Sequence, residues 1–170
     1  PMIRSKINEL ELARLRVATD PDAALGVALD AERIATPGLM PFALNALGWV
    51  ALARGERTAA AQWAGRAVAS ARGVQAFDVL AEALELTAGS TDDPALARRA
   101  LTEALSIWRD GGAGPAASRV EVLMGWLEPA DGTDRSRARD AARRLQRLGI
   151  RQVHGRPVTE GSGRRRVAVS

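Results

Sequence analysis

The 170-residue chain has 24 basic and 20 acidic side chains, with 46% hydrophobic and 26% charged residues, which is typical of a globular protein. It contains no cysteine, which excludes disulfides, thiolate metal sites and cysteine nucleophiles. No apolar run approaches the ~20 residues that cross a bilayer, and no cleavable signal is visible, so we expect a cytoplasmic protein. Because Pro1 precedes Met2 and the chain stops abruptly at Ser170, we expect a segment of a larger protein.

Helix-breaking residues divide the sequence into eight predicted helices, which run in chain order. Their expected ranges are about 3–19, 20–35, 41–55, 56–72, 75–88, 94–110, 114–127 and 133–148. Asp20 precedes the second helix and Asp93 the sixth, each followed by proline, which is a strong start signal. Gly55 and Gly149 are predicted to end the third and eighth helices.

The even-numbered helices repeat one pattern of small residues at positions i, i+4 and i+7. Such a set lies on one face of a helix, where alanine allows a partner helix to approach closely. Any alanine-rich helix can offer one such triplet by chance, but four at similar spacing favour a true repeat. The pattern therefore predicts an all-α fold of stacked antiparallel helix hairpins over residues 1–149. The triplets are Ala24, Ala28 and Ala31; Ala60, Ala64 and Ala67; Ala97, Leu101 and Ala104; and Ala138, Ala142 and Leu145.

The second hairpin resembles the tetratricopeptide repeat through Leu47-Gly48, Gly55, and the triplet that begins at Ala60. The fourth hairpin echoes Leu47-Gly48-Trp49 with Met124-Gly125-Trp126, whereas the third has Glu85 where the second has Gly48. The resemblance implies a tetratricopeptide-like α-solenoid of about eight helices. It also implies that helices cross closely at Gly48 and that the first helix of each hairpin lines a concave face.

The whole layout is similar to the helical-repeat sensor segment of large bacterial transcription activators that pair an NTPase module with a DNA-binding domain. Degenerate hairpins, an arginine-rich last helix and a Gly/Arg linker carry this resemblance. It implies a regulatory module that binds a protein, a peptide or a neighbouring domain of the same chain. The alternatives are a stand-alone scaffold protein and a module that contacts nucleic acid. We expect no enzyme activity, no cofactor and no membrane contact.

The candidate partner-binding residues are Phe42, Asn45, Trp49 and Leu52, which we call the 42–52 stripe. Their spacing of three, four and three places them on one helical face. An aromatic ring supplies contact area, and the Asn45 amide can pair with a peptide backbone. The alternative is that this stripe only packs against the first hairpin.

The basic charge is concentrated near the end of the chain, since residues 111–170 carry 12 basic and 6 acidic side chains, a net of 12 − 6 = +6. In the eighth helix, Arg139, Arg143 and Arg147 are weak candidates for contact with nucleic acid or with a neighbouring domain. No aromatic residues are interleaved with these arginines. A solvated helix at the end of the stack is the simpler interpretation.

Two further features carry little chemistry in the sequence alone. Asp78, Glu82 and Glu85 form an acidic stripe, interpreted as a solvated face, with a cation or basic-peptide site as the alternative. His154 is the only histidine and is expected to be a solvated linker residue rather than a catalytic base. No residues are predicted to be catalytic or to bind a metal.

Residues 150–170 lack apolar helical periodicity and are rich in glycine, proline and arginine. We expect a basic linker or tail that is poorly ordered or loosely packed from about Arg151, and leads towards a strand begun at Val167 and Val169.

Overall fold

The computed structural model describes residues 20–33, 35–127, 132–154 and 156–158. The prediction of an all-α fold is confirmed for these ranges, while the first predicted helix, about 3–19, lies outside them. None of the described helices combines the length and apolar character that crossing a bilayer requires. The described helices are α1 (Pro21–Arg33), α2 (Met40–Ala53), α3 (Arg57–Gly73), α4 (Phe77–Ser90), α5 (Pro94–Asp110), α6 (Gly114–Trp126) and α7 (Gly132–Arg147).

Each helix packs against the next one along the chain, which gives the hairpins α2–α3, α4–α5 and α6–α7. The first helices α2 and α4 of successive hairpins also contact each other directly. After α7 the chain forms a small antiparallel pair of strands, β1 (Gln152–Val153) and β2 (Arg156–Pro157).

The predicted start and stop signals act at the helix ends. The Asp20 carboxylate accepts a hydrogen bond from the Ala23 amide at 3.0 Å, and Asp93 accepts one from the Ala95 amide at 2.8 Å. These bonds satisfy amides that have no partner within the helix. Gly55 has a φ of +79°, the left-handed conformation that lets the chain leave α2 and turn back into α3.

The repeated small residues form the contacts between helices. Every member of the four triplets is buried except Ala138, which is half-buried. A Cβ atom at Gly48 would collide with the Leu86 side chain, and one at Gly125 would collide with Ala138. The prediction that helices cross closely at Gly48 is therefore confirmed. Gly125 allows the same close approach between α6 and α7.

Replacing Ala64 with tryptophan is expected to lower the free energy of unfolding by ~1–3 kcal/mol or more, because Ala64 is 1% exposed and the larger side chain must separate two helices. Gln62→Trp is the matched control, since Gln62 is exposed on the same helix. Chemical denaturation measures both variants. Equal midpoints for the two would contradict the repeat alignment.

The expectation of a loosely packed tail is wrong as far as Val158. Val153 and Val158 are 2% and 5% exposed and pack with Val122 of α6 and Leu145 of α7. The Gln146 amide also donates to the Val158 carbonyl at 2.8 Å. Two valines thus anchor the described residues of segment 150–158, which we call the C-terminal hairpin. Val167 and Val169 lie outside the described residues.

Candidate binding recess

The Glu85 carboxylate is a buried charge that connects α4 with α5, α6 and the C-terminal hairpin. It is 1% exposed on α4 and accepts two hydrogen bonds from the Arg119 guanidinium of α6, at 2.7 and 2.8 Å. The Trp108 indole of α5 donates a third at 2.9 Å, and Nε2 of His154 lies 3.5 Å from the carboxylate. A carboxylate has about four acceptor positions, so these contacts use its full capacity.

Burial alone would raise the pKa of Glu85, because it removes water from the charged form. The hydrogen bonds from Arg119 and His154 outweigh burial and lower that pKa from 4.5 to about 2. Burial likewise opposes the charge on Arg119, but its bonds to Glu85 raise the pKa of the guanidinium. Both groups are therefore ionised at neutral pH.

His154 occupies the tight turn of the C-terminal hairpin. The register pairs Val153 with Arg156, which leaves a two-residue connection, and His154 has a φ of +47°, as turns of this length require. Its ring lies edge-on to the Trp49 ring, with centroids 4.6 Å apart and planes at 68°. The turn therefore places the imidazole between Trp49 of α2 and Glu85 of α4.

Beside this contact lies a recess of about 370 Å³ at the carboxyl ends of α2, α4 and α6. The walls combine apolar side chains with the buried carboxylate, and the C-terminal hairpin forms one side. The guanidinium of Arg156 lies 5.6 Å from the centre of the Trp126 ring, within the range of a cation–π contact. The principal lining residues are Leu52, Glu85, Ala88, Leu123, Trp126, His154 and Arg156.

The structure spreads the 42–52 stripe over two environments. Phe42 is half-buried against two core clusters, including residues of α1 and α4, so it supports packing. Asn45 is 2% exposed and donates to the Glu82 carboxylate of α4 at 3.1 Å. Trp49 contacts His154, and Leu52 lines the recess. Leu52 therefore lines the recess and Trp49 contacts the C-terminal hairpin beside it, whereas Phe42 and the NH₂ group of Asn45 make packing contacts.

Two buried polar atoms of this stripe have no protein hydrogen-bond partner: the Asn45 side-chain oxygen and the Trp49 indole nitrogen. They belong to residues one helical turn apart on α2. The amide orientation of Asn45 is fixed, because its NH₂ group faces a carboxylate. A buried polar group without a hydrogen-bond partner lowers the stability of the fold by ~1–3 kcal/mol, and such groups are uncommon in native proteins.

The interpretation of Asp78, Glu82 and Glu85 as a solvated face is wrong for Glu85. Only Asp78 is exposed, while Glu82 is half-buried and bonded to Asn45. The reason is that α4 lies between α2 and the following helices, so its later turns are covered. Sequence reasoning missed the contribution of Arg119 and Trp108 to this site.

The arginines of α7, which is the eighth helix predicted from the sequence, differ in their contacts. Arg144 turns inward and bonds to Ser118, at 3.0 Å, and to Glu121 of α6. Arg139, Arg143 and Arg147 are exposed, and Arg143 pairs with Asp140 of the same helix. None of the three lines the recess.

The site combines aromatic rings, a buried ion pair and two unpaired polar atoms. In the described ranges, no three His, Cys, Asp or Glu side chains are grouped as a metal ion requires.

No known family model matches the sequence, and neither curated proteins nor solved structures include a significant match.

Proposed function

We propose that this chain is a protein- or peptide-binding helical-repeat module whose binding surface is the recess together with Asn45 and Trp49. The observation that carries the proposal is the pair of unpaired buried atoms on α2, one acceptor and one donor. A peptide backbone offers the complementary pair, since its N–H can donate to Asn45 and its carbonyl can accept from Trp49. The surrounding rings and leucines supply apolar contact area.

The proposed role is regulatory, within a transcription regulator of the type that the sequence resembles. The support for this is the resemblance itself and the position of the C-terminal hairpin beside the binding surface. A scaffold that holds two proteins together would use the same recess. Nucleic-acid binding is the less favoured alternative, because Arg144 is bonded to Glu121 and Arg143 to Asp140.

Panning a library of short random peptides against the full chain tests this function. We expect enriched peptides to bind Trp49→Phe up to ~10-fold more weakly, because phenylalanine keeps a ring but lacks the N–H, and a hydrogen bond contributes ~0.5–1.5 kcal/mol. Fluorescence anisotropy with synthetic peptides measures the affinities.

Arg139→Ala is the control, since Arg139 is exposed on α7 and outside the recess. It should leave peptide affinity unchanged. Thermal unfolding of both variants shows whether they remain folded. If affinity were lost with Arg139→Ala and kept with Trp49→Phe, the binding surface would lie on α7 and the proposal would be wrong.

A further inference from the structure

The C-terminal hairpin contacts equivalent aromatic residues of two different repeats. Trp49 follows Gly48 in the second hairpin, and Trp126 follows Gly125 in the fourth. His154 lies against Trp49, and Arg156 lies over Trp126. His154 and Arg156, two residues apart, therefore contact tryptophans at equivalent positions of α2 and α6, each the first helix of its hairpin. A bound peptide with two basic side chains could engage a repeat protein at the same two positions.

The apolar and basic parts of the hairpin have separate roles. Val153 and Val158 pack between α6 and α7, away from the rings of α2. His154, in contrast, adopts a left-handed backbone conformation that non-glycine residues rarely adopt, and this places its ring at Trp49 and Glu85. The valines anchor the hairpin to α6 and α7, whereas the side chains of His154 and Arg156 contact the aromatic rings.

His154 lies between the Trp49 ring and the Glu85 carboxylate, whose charge is paired with Arg119. Arg57 also lines the recess, so the recess as a whole is not acidic. At each of the two tryptophans, however, a basic side chain contacts an aromatic ring, and at Trp49 it also contacts a carboxylate. These two positions therefore favour a basic side chain over an acidic one.

We propose that the surface formed by Trp49, Trp126 and the adjoining recess binds a basic peptide, and that the C-terminal hairpin covers this surface as an internal ligand that such a partner displaces. This inference rests on the proposed binding function and specifies its ligand. The partner's segment carries histidine or arginine side chains that reach Trp49 and Trp126. The internal segment competes with it because tethering gives the hairpin an effective concentration in the millimolar range.

The test uses the full chain with Val153→Asp, which places a charge in the apolar contact that holds the hairpin. Gln152→Asp is the matched control, because Gln152 is exposed and adjacent. The probe is a labelled synthetic peptide with the sequence of residues 150–158, and a second peptide replaces His154 and Arg156 by glutamate. Binding is measured by anisotropy at low salt.

We expect the basic peptide to bind Val153→Asp about tenfold or more tightly than the Gln152→Asp control, and the glutamate peptide to bind neither. Equal affinity for the two variants would overturn the internal-ligand inference, as would binding of the glutamate peptide. If library peptides bind but the basic peptide does not, the proposed function stands and only this inference fails. If no library peptide binds the full chain and no peptide binds a folded Val153→Asp protein, both fail.

Discussion

Replacing Glu85 with alanine is expected to lower the free energy of unfolding by ~3–5 kcal/mol, because removing one partner of a buried ion pair leaves the other charge uncompensated. Arg119 would lose both of its bonds to the carboxylate, and the Trp108 indole would lose its acceptor. The same carboxylate faces His154, so the C-terminal hairpin should loosen as well. Urea denaturation followed by far-ultraviolet circular dichroism measures the loss.

Asp78→Ala is the control for this prediction, since Asp78 belongs to the same acidic stripe but is exposed in the first turn of α4. Its only expected contribution is to the helix dipole, ~0.3–1 kcal/mol. If the two alanine variants unfolded at the same denaturant concentration, Glu85 would not be the buried connection that the structure describes.

Acid should destabilise the protein through the same carboxylate. The pKa of Glu85 is about 2 in the folded chain, below its ordinary value of 4.5. A group whose pKa is lowered by folding contributes stability above the unfolded value and loses it as the pH falls towards the folded value. Between about pH 5 and pH 2, this contribution, on the order of 3 kcal/mol, should disappear.

The comparison with Glu85→Gln isolates this effect from other carboxylates. Glutamine keeps the size of the side chain but does not titrate. The difference in unfolding free energy between the wild type and Glu85→Gln should therefore shrink as the pH falls from 6 to 3. A difference that stays constant over this range would mean that Glu85 is not held ionised by its partners.

The helical stack could be predicted because its signals are local. Triplets such as Ala60, Ala64 and Ala67 repeat within single helices, and Asp93 and Gly55 act on neighbouring residues. The exception to the repeat was also visible, since Glu85 stands where the second hairpin has Gly48. The role of Glu85 could not be predicted from the sequence, because its partners Trp108 and Arg119 lie 23 and 34 residues away along the chain.

The position of the C-terminal hairpin was missed for a different reason. Glycine, proline and arginine dominate residues 150–170, and this composition favours a linker. A two-residue His-Gly connection between Val153 and Arg156 is nevertheless a hairpin signal. With only two apolar anchors, Val153 and Val158, the segment depends on the surface formed by α6 and α7, which no local pattern reveals.

The C-terminal hairpin is proposed to cover a peptide-binding surface at Trp49. The most direct measurement is the indole N–H resonance of Trp49 in a proton–nitrogen NMR spectrum of the full chain. Trp63 is the internal reference, because its ring contacts Arg66 and does not line the recess. Val153→Asp should shift the Trp49 resonance, and the basic peptide should then move it back towards its original position, while Trp63 stays fixed. If Trp49 stays fixed in both steps, or if Trp63 moves with it, the account is contradicted.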